Sequence, residues 1–193
     1  MKNKGMLLLS TLLSALLLLT SETYKTVDSP CGGIERWDVK TLTDKDSSKI
    51  NFTPIESTVS DLIETKVPFE KIGNNSPRTG NEFNVYSITV HITFYKYEAD
   101  KDIHIVVCDL NDKNKTMICE IPDATCPQIK SSSHVKEIEE VAKEFLSFKK
   151  TAHSIQEGTY VLTGVGFYDK LHGQTGLAPN GIELHPLLSI KKL

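Results

Sequence analysis

Six residues carry the types and spacings from which chemistry can be built. Asp102 and His104 stand two apart in D-K-D-I-H, and Glu183 and His185 stand two apart in E-L-H. Residues i and i+2 of a β-strand emerge on one face, so each pair sets a carboxylate beside an imidazole. Such a pair can exchange a proton as general acid and base, or supply two ligands to a divalent metal. Asp169 and His172 lie just upstream of the second pair, and a loop that folds back would bring all four together. That loop, H-G-Q-T-G-L-A-P-N-G, adds Gln174, Thr175 and Asn180 as candidate ligand-binding side chains. Its glycines can take φ > 0 and turn backbone N–H groups toward an anion. Each feature has a plainer reading beside the chemical one. Half-exposed strands present i, i+2 polar pairs as a matter of course, a Glu and a His can tie down a loop by hydrogen bonds, and small residues make ordinary turns. H-E-x-x-H, G-x-S-x-G and Walker motifs are all lacking, so the sequence names no cofactor; a divalent metal is the one the donor types suit. Glu98 and Glu120 flank strand ends and are expected to face solvent. Arg36 and Arg78, the only two arginines, read as surface or ion-paired groups.

The elements that must position these residues are mostly strands. Alternation is sustained over 84–97, with Tyr86, Ile88, Val90, Ile92 and Phe94 on one face and Ser87, Thr89, His91, Thr93 and Tyr95 on the other. A strand of that length bends across two sheets or around a barrel. The runs 103–110 and 116–121, joined by the polar loop N-D-K-N-K, continue it as a meander that ends at Pro122. The period then turns helical. Val135, Ile138, Val141, Ala142, Phe145 and Phe148 form one stripe, with Ser133 placed to cap the helix. Strands follow over 159–168, interrupted by Gly164 and Gly166, and over 182–190. A short extended run is expected over 59–67, and a surface loop over 43–60. The succession is mainly β with one helix, β-β-β-α-β-β, and suits an OB-like small Greek-key barrel. An antiparallel sheet backed by one helix is the alternative.

Lys2 and Lys4 precede a nearly unbroken apolar run over 6–19, the pattern of a signal peptide occupying 1–21. The expectation is therefore an exported protein, periplasmic or extracellular, with no transmembrane span after cleavage. It is organised as an N-terminal extension and loop over 22–57 and one barrel-like domain over 58–193. Removing Lys2 and Lys4 takes the formal charge from −3 to −5, which does not favour broad nucleic-acid binding. In an exported chain the four cysteines can form disulfides, and sequence leaves three pairings open. The turn E-I-P-D-A-T favours Cys119 with Cys126, while Cys108 lies in an apolar run and reads as a buried thiol. Trp37, the single tryptophan, is expected to pack on the core beside Val39 and Leu42.

Four segments, E-R-W-D-V-K-T-L-T-D, Y-K-Y-E-A-D-K-D-I-H-I-V-V, T-M-I-C-E-I-P-D and G-F-Y-D-K-L-H-G-Q-T-G-L-A-P-N-G-I-E-L-H-P, together resemble a family of exported bacterial proteins of uncharacterised function. The resemblance implies export and a single shared domain, and brings no activity with it. A looser analogy links the expected barrel to secreted thermonucleases of the staphylococcal type. Two arginines are few for that pattern, and its Arg-to-Asp-to-Glu spacing is not present, so no residue carries over. The functional expectation is an OB-like module that binds a small molecule, an oligomer or a protein partner. A metal-dependent hydrolase of the phosphodiesterase or nuclease type is the alternative, with Asp102, His104, Glu183 and His185 as its catalytic set, and a structural envelope protein is the third.

Overall fold

The computed structural model describes residues 31–33, 35–67 and 72–193; the expected signal peptide lies outside the described residues. Helix α1 is Trp37–Lys40, strand β1 Asn51–Ser57, helix α2 Val59–Ile63, strand β2 Asn84–Tyr97 and strand β3 Ile103–Asp109. Strand β4 is Thr116–Ile121, helix α3 Val135–Ser147, strand β5 Tyr160–Tyr168 and strand β6 Ile182–Lys192. The sheet runs β1-β2-β3-β4-β6-β5, and β5 pairs back onto β2. Five strands, β2-β3-β4-β6-β5, thus close into a barrel. The closing parallel contact is β4 with β6, where Ile118 faces Glu183 and Cys119 faces Leu184. This is the OB-like order expected from the sequence, with α3 between the third and fourth barrel strands.

β2 is long enough to serve two neighbourhoods. Val85 to Val90 pairs with β5, and Val90 to Tyr97 pairs with β3. A register shift between Ile92 and Phe94 inserts one residue, and an extra residue reverses the alternation beyond it. Tyr86, Ile88 and Val90 therefore face the core from even positions, whereas Tyr95, fully buried, faces it from an odd one. This corrects the expected placement of Phe94 with the core face.

Inside the barrel lie Ile103, Ile105 and Val107 of β3, Met117, Cys119 and Ile121 of β4, and Ile182, Leu184 and Leu187 of β6. The amphipathic stripe of α3 buries Ile138, Val141 and Phe145 against the same core. Its cap position is taken by His134, whose N–H is accepted by the Ser132 hydroxyl, so Ser133 is not the cap.

Two segments differ from expectation. β1 falls within the stretch read as a loop, where Pro54 and exposed polar side chains hide the strand; it pairs in parallel with β2 alone, at the sheet edge where proline is tolerated. The run at 59–67 opens as helix α2, because Thr58 accepts the Asp61 N–H and caps it. The expected Cys119–Cys126 disulfide is also corrected. Cys126 joins Cys31, 95 residues away, while Cys119 points into the barrel as a buried free thiol on β4. Cys108 is likewise free and buried, as expected.

Residues 36–44 lie against the outer wall of the barrel. Arg36 donates from both terminal nitrogens to Glu82, at 2.7 and 2.6 Å, and also to the Tyr168 carbonyl. Arg78 grips Asp44 with three hydrogen bonds and donates to the Val39 carbonyl at 2.6 Å. Both arginines are buried in bidentate carboxylate pairs, the geometry for which a guanidinium is suited. Leu42 and Ile50 complete the contact by packing on Val85 and Val165.

Candidate functional site

Beside the buried apolar Val106 and Ile118, the outward face of β3, β4 and β6 carries polar side chains that are not solvated. Asp102 and His104 are 0 % exposed, Glu183 1 %, His185 0 % and Glu120 2 %. Glu120, expected to face water, lies at the centre. The β3–β4 register sets it opposite His104, whose Nδ1 lies 3.0 Å from Glu120 Oε1. The parallel β4–β6 register, carried two residues beyond Ile118 and Glu183, sets His185 beside it, with Nδ1 2.8 Å from Glu120 Oε2. Nδ1 of His185 is thus in ion-pairing contact with Glu120, while Nε2 has no hydrogen-bonding partner. His185 Nε2 is 3.6 Å from Asp102 Oδ2, which also has none. The other oxygen of Asp102 is held at 3.1 Å by the Asp123 N–H.

Three segments roof this wall. The 169–181 loop crosses β3, where the Thr175 carbonyl meets His104 Nε2 at 3.1 Å. Gly176, at φ +84°, lies so close to Val106 that a Cβ there would overlap its side chain. α1 delivers Lys40, whose Nζ is 3.7 Å from Glu120 Oε2 and 5.5 Å from the Phe167 ring centroid. The β2–β3 turn brings Glu98 within 3.3 Å of His104 Nδ1.

Burial and crowding divide the protonation states. Burial, with Asp100 and Glu120 nearby, pushes Asp102 up to about 9. Burial, then Glu120 and Asp169, hold Glu183 well above the usual carboxylate range, and both its oxygens lack hydrogen bonds. For Glu120 burial acts the same way, but His104, His185 and Lys40 outweigh it and hold the group well below its ordinary value. Burial lowers His185 against the pull of Glu120. Lys40 would be lowered by burial, yet Glu120, Asp169, Glu183 and Asp102 raise it above the usual ammonium range. At neutral pH the wall therefore holds an ionised Glu120 beside a cationic Lys40, with Asp102, Glu183 and His185 neutral.

The two i, i+2 pairs read from the sequence are thus brought together, through Glu120. Asp169 and His172 are not part of this centre. They bond to each other at 3.2 Å, the Asp169 carboxylate buried and the His172 side chain half-exposed, and Asp169 reaches the cluster only through its charge. Asn180 is structural: its amide donates to the Leu62 and Thr65 carbonyls and ties the loop to α2. Gln174 Oε1 is buried without a partner, and Thr175 contributes its backbone carbonyl to His104.

Lys40 and Glu120 are the residues that sequence reading missed. A signal for Glu120 existed: the hairpin centred on Asp112 places residues 104 and 120 opposite each other. Lys40 had none, because it reaches the wall only through the tertiary docking of α1. In comparisons with family models, curated proteins and solved structures, the chain matches none.

Proposed function

We propose that this chain is an exported binding module of the OB type. Its ligand sits on the outer wall of β3, β4 and β6, between the β2–β3 turn and the 169–181 loop. In small Greek-key barrels this face and these two loops are the usual binding surface. The reading rests on one observation: Asp102 Oδ2, both oxygens of Glu183 and Nε2 of His185 are buried on that wall without hydrogen bonds. Each orphaned polar group costs about 1–3 kcal/mol of stability, and a ligand that pairs with them offsets this. Because the wall is roofed by Lys40 and Thr175, the ligand is small. The hydrolase alternative draws on the ionised Glu120 beside the neutral Asp102, a pairing of the acid-and-base kind. It would require α1 to leave before a phosphodiester could reach either group, so binding is the better-supported activity.

Glu183→Met tests this directly. A group kept unpaired for a ligand weakens the free protein, so the variant is expected to melt about 2–4 °C higher per kcal/mol recovered and to lose the stabilisation that a ligand gives the wild type. Differential scanning calorimetry with and without a panel of small cations and amines reads both effects. A variant that melts lower would show that Glu183 serves the fold, and would overturn the reading.

A further inference from the structure

Resting on that reading of the wall, we infer that the ligand enters beneath a flap, residues 173–177, and that His104 latches this flap in a proton-dependent way. Both nitrogens of the His104 ring face acceptors. Nδ1 lies 3.0 Å from Glu120 Oε1 and 3.3 Å from Glu98 Oε1, and Nε2 lies 3.1 Å from the Thr175 carbonyl. A neutral imidazole has one N–H and one lone pair, so it can serve only one of these two sides. The latch is complete only when the ring carries both protons. If one is lost, the remaining N–H stays with the ionised Glu120, the stronger acceptor. The bare Nε2 then meets the Thr175 carbonyl lone pair to lone pair, and the flap lifts.

The flap is the part of the cover that such a change can move. Thr175 is exposed on its outer side, and the inner side rests on His104 and, through Gly176, on Val106. Gln174 Oε1 is buried there with no hydrogen bond, so it adds nothing to the hold. Gly173, at φ +78° with open space around it, supplies a hinge at one end. The other end is fixed, since Ala178 is buried in the core and Asn180 is tied to Leu62 and Thr65. The cover on the opposite side does not share this weakness: 36–44 is held by two buried arginine–carboxylate pairs and the Cys31–Cys126 disulfide. The charges that the second proton meets come from every element around the ring. Glu98 of the β2–β3 turn is paired at 2.9 Å with Lys96, which stands opposite His104 in the β2–β3 register. Glu120 of β4 is shared with Lys40 of α1 and His185 of β6, and Asp102 lies two residues before His104 on the same side of the wall. Acid conditions therefore keep the wall covered, and mildly alkaline conditions open it.

The test is amide hydrogen exchange of residues 174–177 in the disulfide-intact wild type and in His104→Gln, whose amide does not titrate. It is corrected for intrinsic rates, referred to the β3 amides as a gauge of global unfolding, and run from about pH 5 to about pH 8, the range in which imidazoles change charge. Opening of the wild-type flap is expected to rise about tenfold per pH unit once the ring begins to lose its proton, and the variant to show no such rise. Opening that ignores pH in the wild type, or a rise that persists in His104→Gln, would overturn the latch. Should the variant fail to fold, the ¹⁵N resonances of His104 in the wild type decide the matter. Two protonated nitrogens while the flap amides are protected support the latch, and a single neutral tautomer under equal protection overturns it. In every case the binding-module reading is judged separately by Glu183→Met.

Discussion

Asp102 shows how a single side chain reports its surroundings. Its pKa rises from the ordinary 3.8 to about 9, so across that window the native protein keeps a proton that the unfolded chain has released. The contribution of Asp102 to stability therefore falls as pH rises from about 4 to about 9. His185 and Glu120 act with the opposite sign, but below 6.5 and 4.5 respectively, and the buried thiols Cys108 and Cys119, raised from 9.0, add to the decline only as pH nears 9, so the interval from pH 7 to 8 isolates the raised carboxyls. Asp102→Asn, a neutral stand-in for the protonated acid, is expected to flatten the decline of melting temperature over that interval and to leave only the share due to Glu183. Thermal unfolding of the wild type and the variant at several pH values checks this; parallel curves would refute it. At this scale the sequence was informative where it paired polar residues two apart on one strand. It was silent on burial, because the cover over Asp102 and His185 comes from segments far away in the chain.

At the scale of elements, the link between 36–44 and the barrel is electrostatic and tightly specified. Arg36 and Glu82 are both buried, and Glu82 also accepts the Tyr168 and Thr79 N–H groups. Removing one partner leaves an uncompensated buried charge. Arg36→Met is therefore expected to cost about 3–5 kcal/mol in denaturant unfolding, while Arg36→Met combined with Glu82→Leu regains part of that loss. A double variant no better than the single one would mean that the pair's packing, and not its charge, holds the segment. Element types were largely legible in the sequence. The alternation of β2, the hairpin of β3 and β4 and the stripe of α3 each follow from side-chain period. What period missed has local causes: one inserted residue in β2 reverses its facing, a Thr58 cap turns an expected extended run into α2, and Pro54 hides an edge strand.

The whole molecule is a closed barrel with its N-terminal segment strapped over the outer wall, against β2 and β5 through Leu42 and Arg36 and as far as Glu120 of β4 through Lys40. Among the described residues the strap is anchored by Cys31–Cys126 at one end and by Arg78–Asp44 at the other. Closing a loop of this length restricts the unfolded chain, so Cys31→Ser with Cys126→Ser is expected to lose about 2–4 kcal/mol in reversible thermal unfolding. An unchanged melting temperature would mean that the ion pairs alone hold the strap. Sequence by itself determined the succession of strands and helix, and with it the OB-like order, because side-chain period and turn chemistry are local. It also placed Asp102 beside His104 and Glu183 beside His185, since neighbours two apart on a strand share a face wherever that strand goes. Only the tertiary structure decided that both pairs meet at Glu120, that Cys126 bonds to Cys31, and that Lys40 closes the wall. Each of those depends on strand register and on the docking of a distant segment, which no local pattern encodes.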